Sequence, residues 1–184
     1  EHASLIQTVL DQATLANARL SKADLTEAQL SGANLAGARL AAVNAAGSTL
    51  IAANLQDVSA PAAILTDADL SSANLRSADL TGVTLQGANL SGADLAGASL
   101  RDADLRDLRL QGANLNQVDF AGALFTNPTG RADDDFVAAI PDLSMGDQYQ
   151  GVDFSGGQNL DATQLSFICT QGGLHSACGV STQE

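Results

Sequence analysis

Aromatic residues and long apolar runs are scarce in this sequence of 184 residues. Trp is absent, Tyr149 is the only tyrosine, and aromatic residues make up 3% of the chain. The apolar content is mostly Leu and Ala, so the core must be built from small units. No apolar run approaches the ~20 residues that cross a bilayer, and we expect no membrane insertion. The first residue is Glu1 rather than Met, which leaves open whether a leader has been removed.

Basic residues are also few, because 8 stand against 21 acidic ones and the formal net charge is −13. Nucleic acids and anionic membranes are bound largely through Lys and Arg contacts to phosphate, so the composition argues against a nucleic-acid partner. The sequence contains no phosphate loop, dinucleotide fingerprint, Ser/His/Asp set or His-rich metal motif. Its two histidines, His2 and His175, lie near the ends. We therefore expect no enzymatic activity, no cofactor and no metal site.

What the chain does contain is a repeat of five residues. From Leu15 to Leu115 every fifth residue is Leu, except at Ala45 and Ala60, and Phe120 and Phe125 continue the register. The unit reads A-(D/N)-L-x-x, and Gly is frequent at the last position. Apolar residues that alternate in spacing between two and three suit neither an amphipathic helix nor a plain strand. Three extended residues followed by a two-residue bend do fit the pattern, and four such segments predict a square coil of about twenty residues.

Stacked coils would pair like parallel strands, ~4.8 Å apart, with the leucines along the axis. Residues that are twenty apart then form columns. One inward column is predicted to contain Leu35, Leu55, Leu75, Leu95 and Leu115. The outward column beside it contains Asn34, Asn54, Asn74, Asp94 and Asn114. The asparagines of this column, Asn34, Asn54, Asn74 and Asn114, are interpreted as a hydrogen-bonded amide ladder or a solvated polar face rather than a binding strip.

The repeats ADLTE, ANLAG, ADLSS and ANLRS resemble those of the pentapeptide-repeat family. The resemblance implies an all-β fold, a right-handed quadrilateral parallel β-helix, with short helical caps at the ends. It implies little about function, because members of one fold differ in activity. The Ala- and Leu-rich repeats and the Cys-bearing C-terminal region look like those of lumenal members from cyanobacteria and chloroplasts. That likeness favours the thylakoid lumen or periplasm, with the cytoplasm as the alternative.

The ends of the stack should be capped, because an open β-helix exposes unpaired backbone. Apolar residues at helical spacing predict a short helix over residues 3–11. After Phe125 the repeat stops, and Asp133–Asp135 could begin a short helix in an insertion. Further repeats are predicted at VDFSG (152–156), QNLDA (158–162) and TQLSF (163–167). The predicted single domain comprises an N-terminal cap (1–12), about six coils (13–125), an insertion (126–150), final repeats (151–167) and a C-terminal cap or tail (168–184).

The only two cysteines, Cys169 and Cys178, lie in the tail on either side of two glycines. Their spacing is not that of a redox or zinc motif. Either they form a disulfide that closes a cap, which we favour, or they are two free thiols. A disulfide would indicate an oxidising compartment.

Two functions of different class remain open. The first is a non-enzymatic structural or interaction module, an acidic rod that binds an unidentified protein and is itself a monomer or weak dimer. Its candidate interaction surface is the charged band of Arg101, Arg106 and Arg109, although a band that neutralises its own charge is usually a solvated surface. The second, implied by the family, is a DNA-mimicking modulator of a type II topoisomerase. Residues 12–125 contain eleven acidic and seven basic residues, a net charge of only −4, which favours the first function.

Overall fold

The structure is a computed structural model, and it describes residues 3–125 and 148–179. Through the first range each five-residue unit consists of an extended segment followed by a two-residue turn. The middle residue of each segment forms a parallel bridge with the residue twenty positions further along, as in Asn34 with Asn54 and Asn54 with Asn74. One coil therefore takes twenty residues and has four sides. The predicted quadrilateral parallel β-helix is confirmed.

We number the sides in chain order by their columns of bridged outward residues. Side 1 contains Ser4, Asp24, Asn44, Ile64, Thr84, Asp104 and Leu124. Side 2 contains Val9, Gln29, Thr49, Asp69, Asn89 and Arg109. Side 3 contains Thr14, Asn34, Asn54, Asn74, Asp94 and Asn114. Side 4 contains Arg19, Arg39, Ser59, Asp79, Ser99 and Asp119. Sides 1 and 3 are opposite each other because the chain follows the four sides in turn.

Each corner is a tight turn closed by a backbone hydrogen bond. The carbonyl of the inward residue that ends each extended segment accepts the N–H three residues further on. At one corner, the carbonyl of Leu80 accepts the N–H of Val83 at 3.1 Å. The second turn residue has a positive φ at every corner from Gln7 to Gly122, which a type II turn requires at that position. Gly82 has φ 66° there, and Ala62 adopts φ 54° one coil earlier. The preference for Gly at the end of the unit thus reflects backbone geometry.

The inward column that was predicted to form the core lies on the axis. Its leucines, Leu35, Leu55, Leu75, Leu95 and Leu115, are all buried. Ala45 and Ala60, which replace Leu in one coil, line a narrow apolar cavity of about 30 Å³ on the axis. Val43 and Val58, two residues before these alanines, also line it. The valines therefore return most, but not all, of the lost volume.

The N-terminal prediction was wrong. Residues 3–11 do not form a helix but belong to the first coil, in which Ser4 pairs with Asp24 and Val9 pairs with Gln29. Leu5, Ile6, Val9 and Leu10 fit a helical spacing, yet Leu5 and Leu10 also continue the five-residue register. The register prevails because each unit gains backbone hydrogen bonds from the next coil, whereas a short isolated helix gains few.

The C-terminal prediction was partly wrong as well. VDFSG (152–156) forms a repeat-like segment, with Val152 and Phe154 buried and a turn at 155–156. TQLSF (163–167) is not a repeat, because it lies within helix α1, Ala162–Thr170. A short 3₁₀ helix follows at Ser176–Gly179. The insertion helix predicted within 126–150 lies outside the described residues, apart from the turn that starts at Gln148.

Helix α1 covers the end of the stack through one buried side chain, Gln164. Its Nε2 donates to the carbonyls of Phe120 (3.1 Å) and Ala123 (2.7 Å) in the last regular coil. Its Oε1 accepts the N–H of Asp161, whose carboxylate in turn accepts the N–H of Gln164. This reciprocal pair is a capping box. Phe167 of this helix contacts the ring of Tyr149 edge-on. Tyr149 in turn belongs to a cluster of edge-on and tilted ring contacts with Phe120, Phe125 and Phe154.

Candidate interaction faces

Side 3 carries a ladder of side-chain amides that hydrogen-bond to one another from coil to coil. Asn54 Nδ2 donates to Asn34 Oδ1 at 3.3 Å, and Asn74 Nδ2 donates to Asn54 Oδ1 at 3.1 Å. Further along the column, Asn114 Nδ2 donates to Asp94 Oδ1 at 2.9 Å. The same oxygens accept the N–H two residues on, as Asn54 Oδ1 does from Gln56. Each side chain is thereby fixed to its own turn and to the next coil.

The charged band of Arg101, Arg106 and Arg109 does not form one patch. The first two side chains lie at successive corners of one coil, and Arg109 lies on side 2. Arg101 pairs with Asp119 at 2.9 Å, and Arg106 Nε donates to Asp104 at 2.8 Å. Both pairs lie at the surface, and the pair of Arg106 with Asp104 is partly buried. Surface pairs contribute little stability, and pairing neutralises the charge that a partner would otherwise meet.

The carboxylates in these pairs titrate below their ordinary range. The side-chain hydrogen bond from Arg106 lowers the pKa of Asp104 and outweighs partial burial, which acts to raise it. The pKa of Asp119 is lowered, mainly by the amide of Asn159 and also by Arg101. Asp94 is partly buried, which raises its pKa, but the N–H of Ala96 and the Arg76 guanidinium bring about a net lowering. All three groups are therefore charged near neutral pH.

In contrast to the paired arginines, two arginines in the first coils of side 4 lie next to each other. Arg19 and Arg39 are bridged neighbours on adjacent coils, and both side chains are exposed. Neither forms an ion pair within the residues that the structure describes. Like charges on neighbouring strands repel each other, and these two side chains make the start of side 4 locally positive on a chain that is acidic overall.

The tail cysteines are joined in the structure. Cys169 lies near the C-terminal end of α1 and Cys178 lies in the 3₁₀ helix, and the two form a disulfide. The bond links the end of helix α1 to the segment that follows Leu174. Leu174 itself is held to the stack, because its N–H donates to the carbonyl of Val152. No free cysteine remains.

No metal-binding cluster is present among residues 3–125 and 148–179. In this part of the chain no three His, Cys, Asp or Glu side chains converge on a point where a metal ion could bind. The Nδ1 of His175 accepts the N–H of Ala177 at 3.0 Å. The axial cavity is lined by apolar side chains only, and about 30 Å³ is too small for an organic cofactor. The described helices are also too short to span a bilayer.

Sequence reasoning missed one residue that organises the C-terminal end, Gln164. The signal was present, because Asp161 is followed three residues later by Gln164, which is the spacing of a capping box. The five-residue spacing of Leu160 and Leu165 pointed instead to further repeats.

Comparison with known proteins places these features in a family. A sequence model of pentapeptide repeats matches eight copies, over residues 1–32, 28–67, 63–102 and 103–127. The chain belongs to the pentapeptide-repeat family, whose members fold as right-handed quadrilateral β-helices. No curated protein sequence matches it significantly.

Several solved structures are similar. HetL, a pentapeptide repeat protein involved in heterocyst differentiation regulation from the cyanobacterium Nostoc sp. strain PCC 7120, is 36% identical, with a TM-score of 0.46. The match covers 68% of this chain and 63% of HetL, so the chain spans less than two thirds of that relative. QnrB1, a plasmid-mediated fluoroquinolone resistance protein, is 20% identical with a TM-score of 0.52, over 68% of this chain and 66% of QnrB1. A pentapeptide repeat protein from the Arabidopsis thaliana thylakoid lumen is 26% identical, with a TM-score of 0.25. That match covers 64% of this chain and 68% of the Arabidopsis protein.

Proposed function

We propose that this chain is a non-enzymatic interaction module, a rigid rod that binds a partner protein through side 3. The observation that carries the proposal is the amide ladder, in which Asn34, Asn54 and Asn74 are already hydrogen-bonded in a row. Binding ordinarily requires interface side chains to lose conformational freedom, at about 0.5–1.5 kcal/mol for each long side chain. A row of side chains that is already fixed in the free protein loses less conformational freedom on binding.

The partner protein is expected to present hydrogen-bonding groups at the spacing of the coils. The oxygens of Asn34 and Asn54 already accept two hydrogen bonds each, whereas each ladder amide uses only one of its two hydrogens on the preceding coil. The second amide hydrogen is therefore available to an acceptor on the partner, once per coil, ~4.8 Å apart. The charge of the chain adds long-range attraction for a basic surface, since the net charge is −13. Charge steers the encounter, and the amide row provides the register.

Affinity capture with matched face variants tests this proposal. Asn54→Lys on side 3 and Asn44→Lys on side 1 introduce the same residue in the same coil, on opposite sides. Asn54→Lys removes three hydrogen bonds, with Asn34, Asn74 and the N–H of Gln56. Asn44→Lys removes two, with Thr26 and the N–H of Ala46. The wild-type chain and the Asn44→Lys variant should retain the same protein from fractionated lysate of the source organism, and Asn54→Lys should lose it at least tenfold. Equal retention by both variants, or no protein above background, would contradict the use of side 3.

We further propose that the protein works in an oxidising compartment, the thylakoid lumen or the periplasm. The support is the disulfide between Cys169 and Cys178, because such bonds persist where thiols are not kept reduced. Alkylation of the native protein in fresh extract, before reduction, should label neither cysteine. Labelling of both would favour the cytoplasm.

The DNA-mimic hypothesis has weaker support. A mimic of duplex DNA needs continuous, unpaired negative charge, whereas Asp94, Asp104 and Asp119 are paired with arginines. The likeness to QnrB1, at 20% identity, concerns the fold. We therefore retain this function only as the alternative that a direct assay can decide.

A further inference from the structure

Side 4 differs from the other three sides in its charge. Together with the turn residues at its two corners, it contains five of the eight basic residues of the chain and four acidic residues, a net charge of +1. These residues are Arg19, Lys22, Arg39, Arg76 and Arg101, and Asp57, Asp79, Asp102 and Asp119. Sides 1, 2 and 3, counted in the same way over residues 3–125, are each net negative. Side 4 is therefore the surface of the described coils on which two copies of this acidic chain repel each other least.

The charges of side 4 are also ordered along the rod. Its outward column changes from basic to acidic in the order Arg19, Arg39, Ser59, Asp79, Ser99 and Asp119. Arg39 is exposed, and neither Arg39 nor Asp79 forms an ion pair within the described residues. The Oδ1 of Asp79 accepts only the N–H of Thr81, at 3.2 Å. Arg39 and Asp79 are two coils apart, about 10 Å, which is too far for them to pair within one chain.

We propose that side 4 is a docking surface for side 4 of a second, antiparallel copy of this chain. The two rods would lie side by side about a two-fold axis that passes between the two faces and is perpendicular to both rods. Such an axis keeps one column opposite the other but reverses its order, so that the basic part of each copy faces the acidic part of the other. A parallel pair would instead set Arg19 and Arg39 against the same arginines.

The charges select one register for this contact, with the axis at the level of Ser59. Arg39 then faces Asp79 of the second copy, and Lys22 faces Asp102 of the second copy. The two-fold axis repeats each of these pairs, and Ser59 faces its own counterpart. Shifting the axis by half a coil in either direction leaves only one kind of opposite pair.

The surface around this axis allows the two faces to approach closely. The corner between sides 4 and 1 carries small side chains there, at Ala41, Ala42, Pro61 and Ala62. The one like-charged pair of the register, Asp57 with its counterpart, lies at the other corner, where Asp57 is exposed. The overlap of five coils is roughly 24 Å long, so the contact is small and the dimer is weak. Side 3 remains free to bind the partner protein.

Reciprocal charge exchange tests the contact. Molar mass from light scattering should rise toward twice the monomer mass as the wild-type chain is concentrated. Arg39→Asp and Asp79→Arg should each stay at the monomer mass, because each places like charges opposite each other. An equimolar mixture of these two variants should associate like the wild type, because every such pair in the mixed dimer again joins Asp with Arg. The control is Arg109→Asp, the same change on side 2, which should associate like the wild type. Circular dichroism checks that all the chains fold alike.

Crosslinking tests the register separately. Ser59→Cys places the only free thiol on the axis, where it faces the same thiol of the second copy. Packed sheets are ~10 Å apart, so a short bismaleimide should join the two thiols into a covalent dimer. Thr49→Cys, in the same coil on side 2, should give little dimer. A wild-type chain that stays monomeric, a single exchange variant at position 39 or 79 that associates normally, a mixture that does not associate, or equal crosslinking at positions 59 and 49 would each overturn the proposal.

Discussion

Single residues at the corners show how the chain uses its backbone freedom. Sixteen non-glycine residues adopt a positive φ, and all but Asn159 lie at the second turn position of the coils. For a residue with a Cβ this conformation costs about 1–2 kcal/mol, and only repetition of stabilising contacts in each coil makes so many of them tolerable. The second turn position therefore favours Gly for its geometry but also accepts residues with a side chain.

Two neighbouring corners allow this cost to be measured. A Cβ added at Gly82 would meet no atom within 4 Å, so Gly82→Ala adds strain without a clash and should lower the free energy of unfolding by about 1 kcal/mol. Ala62→Gly, one coil earlier, should raise it by about 0.5 kcal/mol, because the relief of strain exceeds the entropy gained by the unfolded chain. Urea unfolding measures both values.

The control for this pair is Ala41→Gly, at a first turn position whose φ is not positive. That change should destabilise the chain through the unfolded state alone. If Ala62→Gly were as destabilising as Ala41→Gly, the turn geometry assigned to the corners would be incorrect.

At the scale of elements, the repeats were predictable and the caps were not. The five-residue register is carried by more than twenty successive units, so each unit supports the assignment of the others. Leu5 and Leu10 obeyed that register, and the helix predicted over residues 3–11 was wrong because a weak local pattern was preferred to a strong periodic one. The helix at Ala162–Thr170 was missed for the reverse reason, since Leu160 and Leu165 keep the spacing of five by chance.

The candidate site was predictable only as a set of columns. The spacing of twenty placed Asn34, Asn54 and Asn74 together, and the structure adds the direction of their hydrogen bonds. The pairing of Arg101 with Asp119 could not be derived in the same way, because it depends on side-chain reach across a corner.

Gln164 provides a test of how the cap helix is attached. Gln164→Met keeps a similar volume but removes the bonds to Phe120 and Ala123 and the capping box. Loss of bonds to buried carbonyls should destabilise the chain by about 1–3 kcal/mol. Gln158→Met, the same change at an exposed side chain, should have almost no effect in thermal unfolding. Similar melting temperatures for both variants would rule out this attachment.

At the scale of the whole molecule, charge is unevenly distributed along the chain. Residues 3–60 contain four acidic and three basic residues, and residues 126–184 contain eight acidic residues and one basic residue. Residues 61–125 add eight acidic and four basic residues, so the regular coils over residues 3–125 carry −5 of the net charge of −13. Six coils at ~4.8 Å span roughly 28 Å, a length over which duplex DNA carries on the order of 16 negative charges.

The DNA-mimic alternative is decided by a supercoiling assay with DNA gyrase. A net charge of −4 over residues 12–125 is too small to compete for a groove that binds DNA through its basic residues. We expect no inhibition at micromolar protein and low salt, where electrostatic attraction is strongest. Inhibition that decreases as the salt concentration is raised would make DNA mimicry the better-supported function.

Every conclusion about faces and ends rests on the alternation of inward Leu and outward Asn, and one pair of adjacent positions tests it. Leu35 is 1% exposed on the axis, so Leu35→Asp buries a carboxylate without a partner and should destabilise the chain by more than about 4 kcal/mol. Asn34→Asp puts the same side chain on side 3, where its oxygen can still accept from Asn54 and Ala36, and should change stability by less than about 1 kcal/mol. Chemical denaturation of the two variants is the most direct measurement. We expect an unfolded chain for Leu35→Asp and a native one for Asn34→Asp, and equal stability of the two would contradict the fold and the functional faces together.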